Sequence, residues 1–282
     1  MAPATDISKV EATPRIVDEL SACDFYHTMD IPTHGHVEGQ WDLRESLSDY
    51  LGNVVLDGKR VLELGTADGF ITFQMERQGA DVVSYDLSPD FNWDVVPYAR
   101  PSKSVARTTD PGHWLTTDEK FRDGIARLNN AYWLCHGAYG SQARLVYGNV
   151  YSVPEEVGAV DVSTFGAILL HTRDPFAALA SPLRLTRETV VVTELRSRLS
   201  PPAPLTQAKR LLPRRLRQPA MQFLPDWRTG RDPDGWWRLS PELIVAFIGV
   251  LGFEDTQVTY HTQLYQGRPR RMFTVVGHRT AG

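Results

Sequence analysis

From residue 59 onward the chain alternates short unbroken apolar runs with stretches in which apolar residues recur every three or four positions. RVLEL at 60–64 runs into a glycine-bearing turn, and FITFQMERQGA then spaces its apolar residues helically, which predicts strand, tight turn and helix. A second strand ends at Asp86 in VVSYDLS. VDVSTFGAILLHTRDPFAAL predicts a fourth strand ending near Leu170 and a helix from about Pro175, since proline favours the first helical position. TVVVTE at 189–194 reads as a short buried strand. Ser240, Pro241 and Glu242 predict a capped helix closed at Gly252, and RRMFTVVGH at 270–278 is the last strand. Only a short turn precedes that strand, so it must run antiparallel to its neighbour.

These elements imply an α/β, Rossmann-like fold: a mostly parallel seven-stranded sheet with helices on both faces and an antiparallel last strand. Residues 1–57 are expected to form an N-terminal helical or lid segment before a domain spanning 58–282. The stretch from about 92 to 142 is too long for a simple connection and predicts a helical insertion, with Thr117 as a candidate cap. A proline-broken basic loop occupies about 196–235.

The first turn carries the chemistry. A dinucleotide loop would place glycines at positions 67 and 70, where this chain has Ala67 and Phe70. What stands instead is E-x-G-x-x-x-G, from Glu63 through Gly65 to Gly69. Asp86 ends the next strand 21 residues after Gly65, where the two oxygens of a carboxylate match the two vicinal hydroxyls of a ribose.

That motif resembles the first motif of the class I S-adenosylmethionine-dependent methyltransferases. Together with FYHTMDIPTHGHVEGQWDLRESL, NNAYWLCHGAYGSQARLVYGNVYSV, LLHTRDP and GWWRLSPELIVAFIGVLGF, it is similar to the subgroup containing the tRNA wobble-uridine carboxymethyltransferase and many natural-product and sugar methyltransferases. The resemblance implies that S-adenosyl-L-methionine is the cofactor. It further implies contacts from Gln40, Trp41, Glu63, Gly65, Thr66, Gly69, Asp86, Leu87, Asn149, Val150 and Gly166, with Asn149 on the adenine amino group. The wobble-uridine enzyme grips a carboxylated cofactor with Tyr-His after the fourth strand and a lysine ahead of the core. Here Leu170 precedes His171 and no lysine lies between Glu11 and Gly58, so the ordinary cofactor is expected.

Methyl transfer needs the acceptor held in line and, for a hydroxyl, a base. His171, after the fourth strand at the ligand-binding edge of the sheet, is the expected base, because imidazole titrates near neutrality. Tyr26, His27, His136, Arg173 and Trp237 are candidate acceptor contacts. Asp174 and Glu194 could join a metal site, but no adjacent acid pair follows the fifth strand, so no metal is expected. The expected reaction is O-methylation of a small molecule of natural-product or sugar type. The alternatives are tRNA wobble-uridine (carboxy)methylation, N-methylation of a small molecule, and a fold retained for binding alone.

Charge narrows the partners. With 30 basic and 34 acidic residues the net charge is −4, whereas nucleic-acid binders usually carry a basic surplus. The local exception is 196–217, with seven basic residues and no acid, a candidate patch for an acidic acceptor or a solvated loop. No apolar stretch is long enough to span a bilayer, and the polar first residues read as a frayed tail. Cys23 and Cys135 are isolated, which fits a reducing cytoplasm. The insertion could serve as lid, acceptor wall or homodimer surface.

Overall fold

A computed structural model describes residues 6–91, 93–98, 118–196, 218–229 and 234–280. Five parallel strands form the heart of the sheet: β4 (Arg60–Leu64), β5 (Asp81–Asp86), β6 (Arg144–Tyr147), β7 (Val160–Gly166) and β8 (Thr186–Leu195). A hairpin of β11 (Asp255–Tyr265) and β12 (Arg268–His278) extends it, β3 (Trp41–Asp42) lies at the edge, and across the sheet the order is β3-β11-β12-β8-β7-β4-β5-β6. β12 is antiparallel to both of its neighbours. Its reversal is set locally, since the two-residue connection Gln266 and Gly267 has φ values of 49° and 69°, as a type I′ hairpin turn requires.

The sheet has eight strands, not the expected seven. The extra one, β3 (Trp41–Asp42), comes from the N-terminal segment and pairs antiparallel with the free edge of β11. That segment is also less helical than expected. Its described residues contain a hairpin of β1 (Met29–Ile31) and β2 (Gly35–Val37), two short 3-10 turns and a single four-residue helix, α1 (Leu47–Tyr50).

Alternation along each strand sorts the core onto two faces. Val61, Val82, Val191 and Val276 join the N-terminal segment, α2 (Phe70–Arg77) and α3 (Asp118–Tyr139) on one face. Leu62, Val83, Val190 and Val275 pack under α4 (Pro175–Leu183) and α5 (Pro241–Val250) on the other. Each such buried side chain contributes roughly 1.5–3 kcal/mol. The caps are as expected at α5, where Ser240 accepts from the Leu243 N–H, and Asp174 does the same for α4 at Ala177. α3 is the helical part of the expected insertion among its described residues, and its candidate cap Thr117 lies outside them. A small antiparallel pair, β9 (Met221–Phe223) and β10 (Trp237–Leu239), stands over the carboxyl edge of the sheet.

Candidate active site

The turn after β4 is built from its own motif. Gly65 and Gly69 have φ of +79° and +82°, and an added Cβ would meet Ile168 at 2.4 Å or Phe73 at 2.5 Å, so both glycines are required by backbone and packing alike. Ala67 sits between them at φ 51°, a left-handed conformation that costs an alanine about 1 kcal/mol. Its N–H donates to Asp86 Oδ2 at 2.6 Å, and the Leu87 N–H donates to Oδ1 at 2.7 Å. Each Asp86 oxygen keeps a lone pair. Burial pushes this carboxyl up to about 6 against the pull of those two N–H donors.

Glu63 is buried in a hydroxyl network. Thr72 and Thr66 donate to it, Thr72 meets Ser84 at 2.8 Å, and Tyr132 donates to Ser84 at 3.1 Å. Burial raises Glu63 to about 7. Glu63 and Thr66, expected as cofactor contacts, brace the turn through this network. Asn149 caps the 3-10 turn that begins at Val150, accepting from the Tyr151 N–H at 2.9 Å with a second lone pair to spare. Leu87 is tied to α3, its carbonyl accepting from Asn129 Nδ2 at 3.2 Å.

The N-terminal segment is fastened to the same turn by a residue that the sequence reading missed. Asp68, fully buried, accepts from the Tyr26 and His27 backbone N–H groups at 2.8 and 2.6 Å and pairs with His27 Nδ1 at 2.6 Å. His27 is thereby a buried clamp, stacked on Phe70, and not an acceptor contact. Its partner lies 41 positions away, a separation that no local pattern reveals.

A cavity of about 790 Å³ opens at the carboxyl ends of β7 and β8. Tyr26, Gln40 and Trp41 wall one side, α3 contributes Phe121, Ile125 and Leu128, and Ala167, Leu170 and His171 lie at the strand ends. Gln40 is held by Tyr265, whose hydroxyl donates to Oε1 at 3.1 Å, and Trp41 packs on the Tyr265 ring. His171 does not directly follow its strand: β7 ends at Gly166, and His171 closes a 3-10 turn, Leu169–His171. That turn is held from the neighbouring strand. Glu194, buried at the end of β8, accepts from the Leu169 and Leu170 N–H groups at 2.8 and 3.3 Å. Burial pushes Glu194 up to about 8. His171 Nδ1 lies 2.7 Å from the Asp234 carbonyl, and a carbonyl only accepts. The proton of the neutral ring is therefore on Nδ1, and Nε2 carries the lone pair a base needs.

The structure thus gathers Tyr26, Gln40, Trp41 and His171 around one space. Gly65, Asp86 and Asn149 are not among its lining residues, with Ile168 resting on Gly65 and α3 tied to Leu87. Gly166 ends β7 where an added Cβ would meet the Tyr50 hydroxyl at 2.9 Å. His136 is no acceptor contact: its Nε2 lies 3.0 Å from the Ala143 carbonyl and its ring packs on Phe73, Tyr132 and Trp133, because it fastens the end of α3 to the approach to β6. Arg173 points to the surface and pairs with Asp94 at 3.1 Å, and Trp237 donates to the Arg173 carbonyl, both outside the cavity lining. Asp174 caps a helix and Glu194 holds a turn; among the described residues no three metal-ligating side chains cluster.

No protein-family model matches the chain, and no curated protein resembles it significantly in sequence. Solved structures do share its architecture. The N-terminal domain of EvdMO1, crystallised in the presence of S-adenosylhomocysteine and D-fucose, is similar with a TM-score of 0.52 at 14% identity, over 92% of this chain and 93% of that one. The fold is the Rossmann-like methyltransferase fold. A 1,6-didemethyltoxoflavin-N1-methyltransferase from Burkholderia thailandensis has a TM-score of 0.49 at 12% identity, covering 85% of this chain and 78% of its own. Magnesium protoporphyrin IX methyltransferase from Synechocystis PCC 6803 has 0.46 at 13%, covering 84% and 81%.

Proposed function

We propose that this chain is an S-adenosylmethionine-dependent methyltransferase that O-methylates a small-molecule acceptor of natural-product or sugar type. The observation that carries this reading is His171, with Nδ1 fixed on a carbonyl and Nε2 without a hydrogen bond among the described residues, on the wall of a cavity of about 790 Å³ at the carboxyl edge of the sheet. Open α/β sheets bind their ligands along that edge.

The residues present suit the cofactor chemically. Asp86 has one uncommitted lone pair on each oxygen for the two ribose hydroxyls, and Asn149 can serve an adenine edge through its spare acceptor. Gln40 and Trp41 reach from the N-terminal segment towards the same edge. When bound, S-adenosylmethionine supplies an electrophilic methyl group on sulfur. His171 takes the proton that the acceptor hydroxyl loses as its oxygen gains that methyl, and the cavity wall keeps the hydroxyl in near-attack range. Leu170 lines the cavity beside His171 and itself offers no partner to an extra cofactor carboxylate.

Mass spectrometry of ligand copurified with the chain tests the reading directly. S-adenosylmethionine or S-adenosylhomocysteine is the expected find. A dinucleotide would overturn the cofactor assignment, and a carboxylated analogue would move the function towards tRNA. Retention of tRNA at low ionic strength, lost steeply with salt, would do the same.

A further inference from the structure

The acceptor cavity is much more basic than the chain around it. Its walls include Arg196, Arg238, Arg270 and Arg271, and among the described lining residues Asp234 is the one carboxylate, whereas the whole chain is net acidic. Two of the lining residues also hold buried donors without a partner among the described residues. Arg196 packs its guanidinium on the Tyr260 ring at 4.5 Å, leaving Nε and Nη2 shielded from solvent and without a hydrogen-bond partner among the described residues. Trp93, edge-on to the His171 ring at 5.2 Å, has its indole Nε1–H buried and unpartnered in the same way.

Buried donors left unpaired are costly and rare in folded proteins, and a guanidinium is the costliest of them. A ligand that supplies acceptor atoms and negative charge removes that cost once the guanidinium turns towards the cavity to meet it, and a planar fork of N–H groups matches an oxyanion bidentately. An alkyl group would leave Arg196 unpaired, and the hydroxyls of a neutral sugar would meet its donors without balancing its charge. Resting on the methyltransferase reading, we infer that the acceptor is anionic: it carries a carboxylate or phosphate that Arg196 binds, with Arg238, Arg270 and Arg271 adding to the field, while its hydroxyl lies at His171. Arg270 rests on the Tyr265 ring and Arg196 on Tyr260, so the strand pair β11 and β12 presents this charge on a stiff support.

Calorimetry on the full chain tests this with scaffold-free probes: inorganic phosphate, malonate, and malonamide as the uncharged counterpart of malonate. Phosphate and malonate should bind saturably and malonamide should not. Arg196→Gln should weaken oxyanion binding about tenfold or more, the loss expected for a charged hydrogen-bonded pair, and Arg196→Lys should restore part of it. Arg238→Gln gives a second variant at a residue with a separate strand support. S-adenosylhomocysteine affinity should be the same in all of them. Equal binding of malonamide, oxyanion binding unchanged in both glutamine variants, or no saturable oxyanion binding overturns the proposal. A copurified cofactor bearing an extra carboxylate would assign the arginines to the cofactor and overturn it as well. Failure to bind S-adenosylhomocysteine while oxyanions still bind would instead overturn the methyltransferase reading.

Discussion

The turns that follow β4 and β7 look alike and are held differently. Each leaves a parallel strand at the carboxyl edge, each places an alanine in left-handed conformation, Ala67 at φ 51° and Ala167 at φ 54°, and each is braced by a buried glutamate. After β4 the brace is Glu63, the acid of the same motif, acting through the nearby hydroxyls of Thr66 and Thr72. After β7 the brace is Glu194, which belongs to β8 and reaches across to two backbone N–H groups. A turn that carries its own support is written in a short stretch of sequence. A turn supported from another strand is visible only once the sheet exists.

The largest expected effect separates the two turns by function. His171→Ala should lower kcat by roughly 10²–10⁴, the usual worth of general-base catalysis, with S-adenosylhomocysteine affinity nearly intact. Steady-state kinetics with the true acceptor and calorimetry with the product cofactor provide the two readouts. Near-normal kcat in the variant would reduce the β7 turn to a structural element and the chemistry to proximity. It would also point to an acceptor nitrogen that needs no base.

The next effect concerns the braces. Glu63 and Glu194 are raised by burial from 4.5 to about 7 and about 8. In that window the folded chain keeps a proton that the unfolded chain has released, so the stabilising contribution is complete below about pH 4.5 and is lost as pH rises through the folded values. Each group should therefore lower stability by about 1.4 kcal/mol per pH unit within its window. Denaturant unfolding of Glu194→Gln should show a flatter decline between pH 5 and 8 than the parent, roughly one group's worth of slope. Glu63→Gln should flatten it over a narrower range. Identical slopes in parent and Glu194→Gln would mean that the acid is solvated and the turn is held some other way.

This contrast explains what could be read from the chain. The strand, turn and helix around Gly65, the helix capped by Ser240 and the antiparallel last strand depend on neighbours a few residues apart, and the structure has them where the pattern put them. Likewise the glycine positions followed from local backbone demands. Asp68 and Glu194 act on partners 41 and 25 positions away, and β3 reaches the sheet edge only because the N-terminal segment folds back onto β11. His136 misled for the same reason, since a histidine in an insertion looks available until α3 packs it among aromatics. The basic stretch was legible as charge. Only Arg196 of it lies within the described residues, and its neighbours in space, Arg238, Arg270 and Arg271, come from other strands.

A smaller loss should mark the β4 edge. Asp86→Ala should weaken S-adenosylhomocysteine binding by about 1.5–3 kcal/mol, the range for a hydrogen bond to a charged group. The same variant frees the Ala67 and Leu87 N–H groups, so its unfolding midpoint must be measured beside the binding isotherm. Affinity unchanged in a folded Asp86→Ala would detach this carboxylate from the ribose role.

The smallest effect tests the two alanines directly. At φ 51° an alanine pays for its Cβ, and glycine adopts that conformation freely at the expense of a more flexible unfolded chain, so Ala67→Gly should stabilise by roughly 0.5–1 kcal/mol. For a chain of this size that is a rise in melting temperature of about 2–4 °C per kcal/mol, readable by calorimetry. Ala167→Gly should gain by the same argument at φ 54°, but Ala167 lines the cavity and its N–H is fixed on the Thr193 carbonyl at 2.8 Å, within the part of the sheet that supports His171. Removing its Cβ should loosen the acceptor wall, raising acceptor KM while the β4 variant leaves it alone. Equal gains in stability with no kinetic difference would make the two turns interchangeable supports. A destabilised Ala67→Gly would mean that the alanine methyl packs usefully where the commoner motif has glycine, and that this turn was shaped around it.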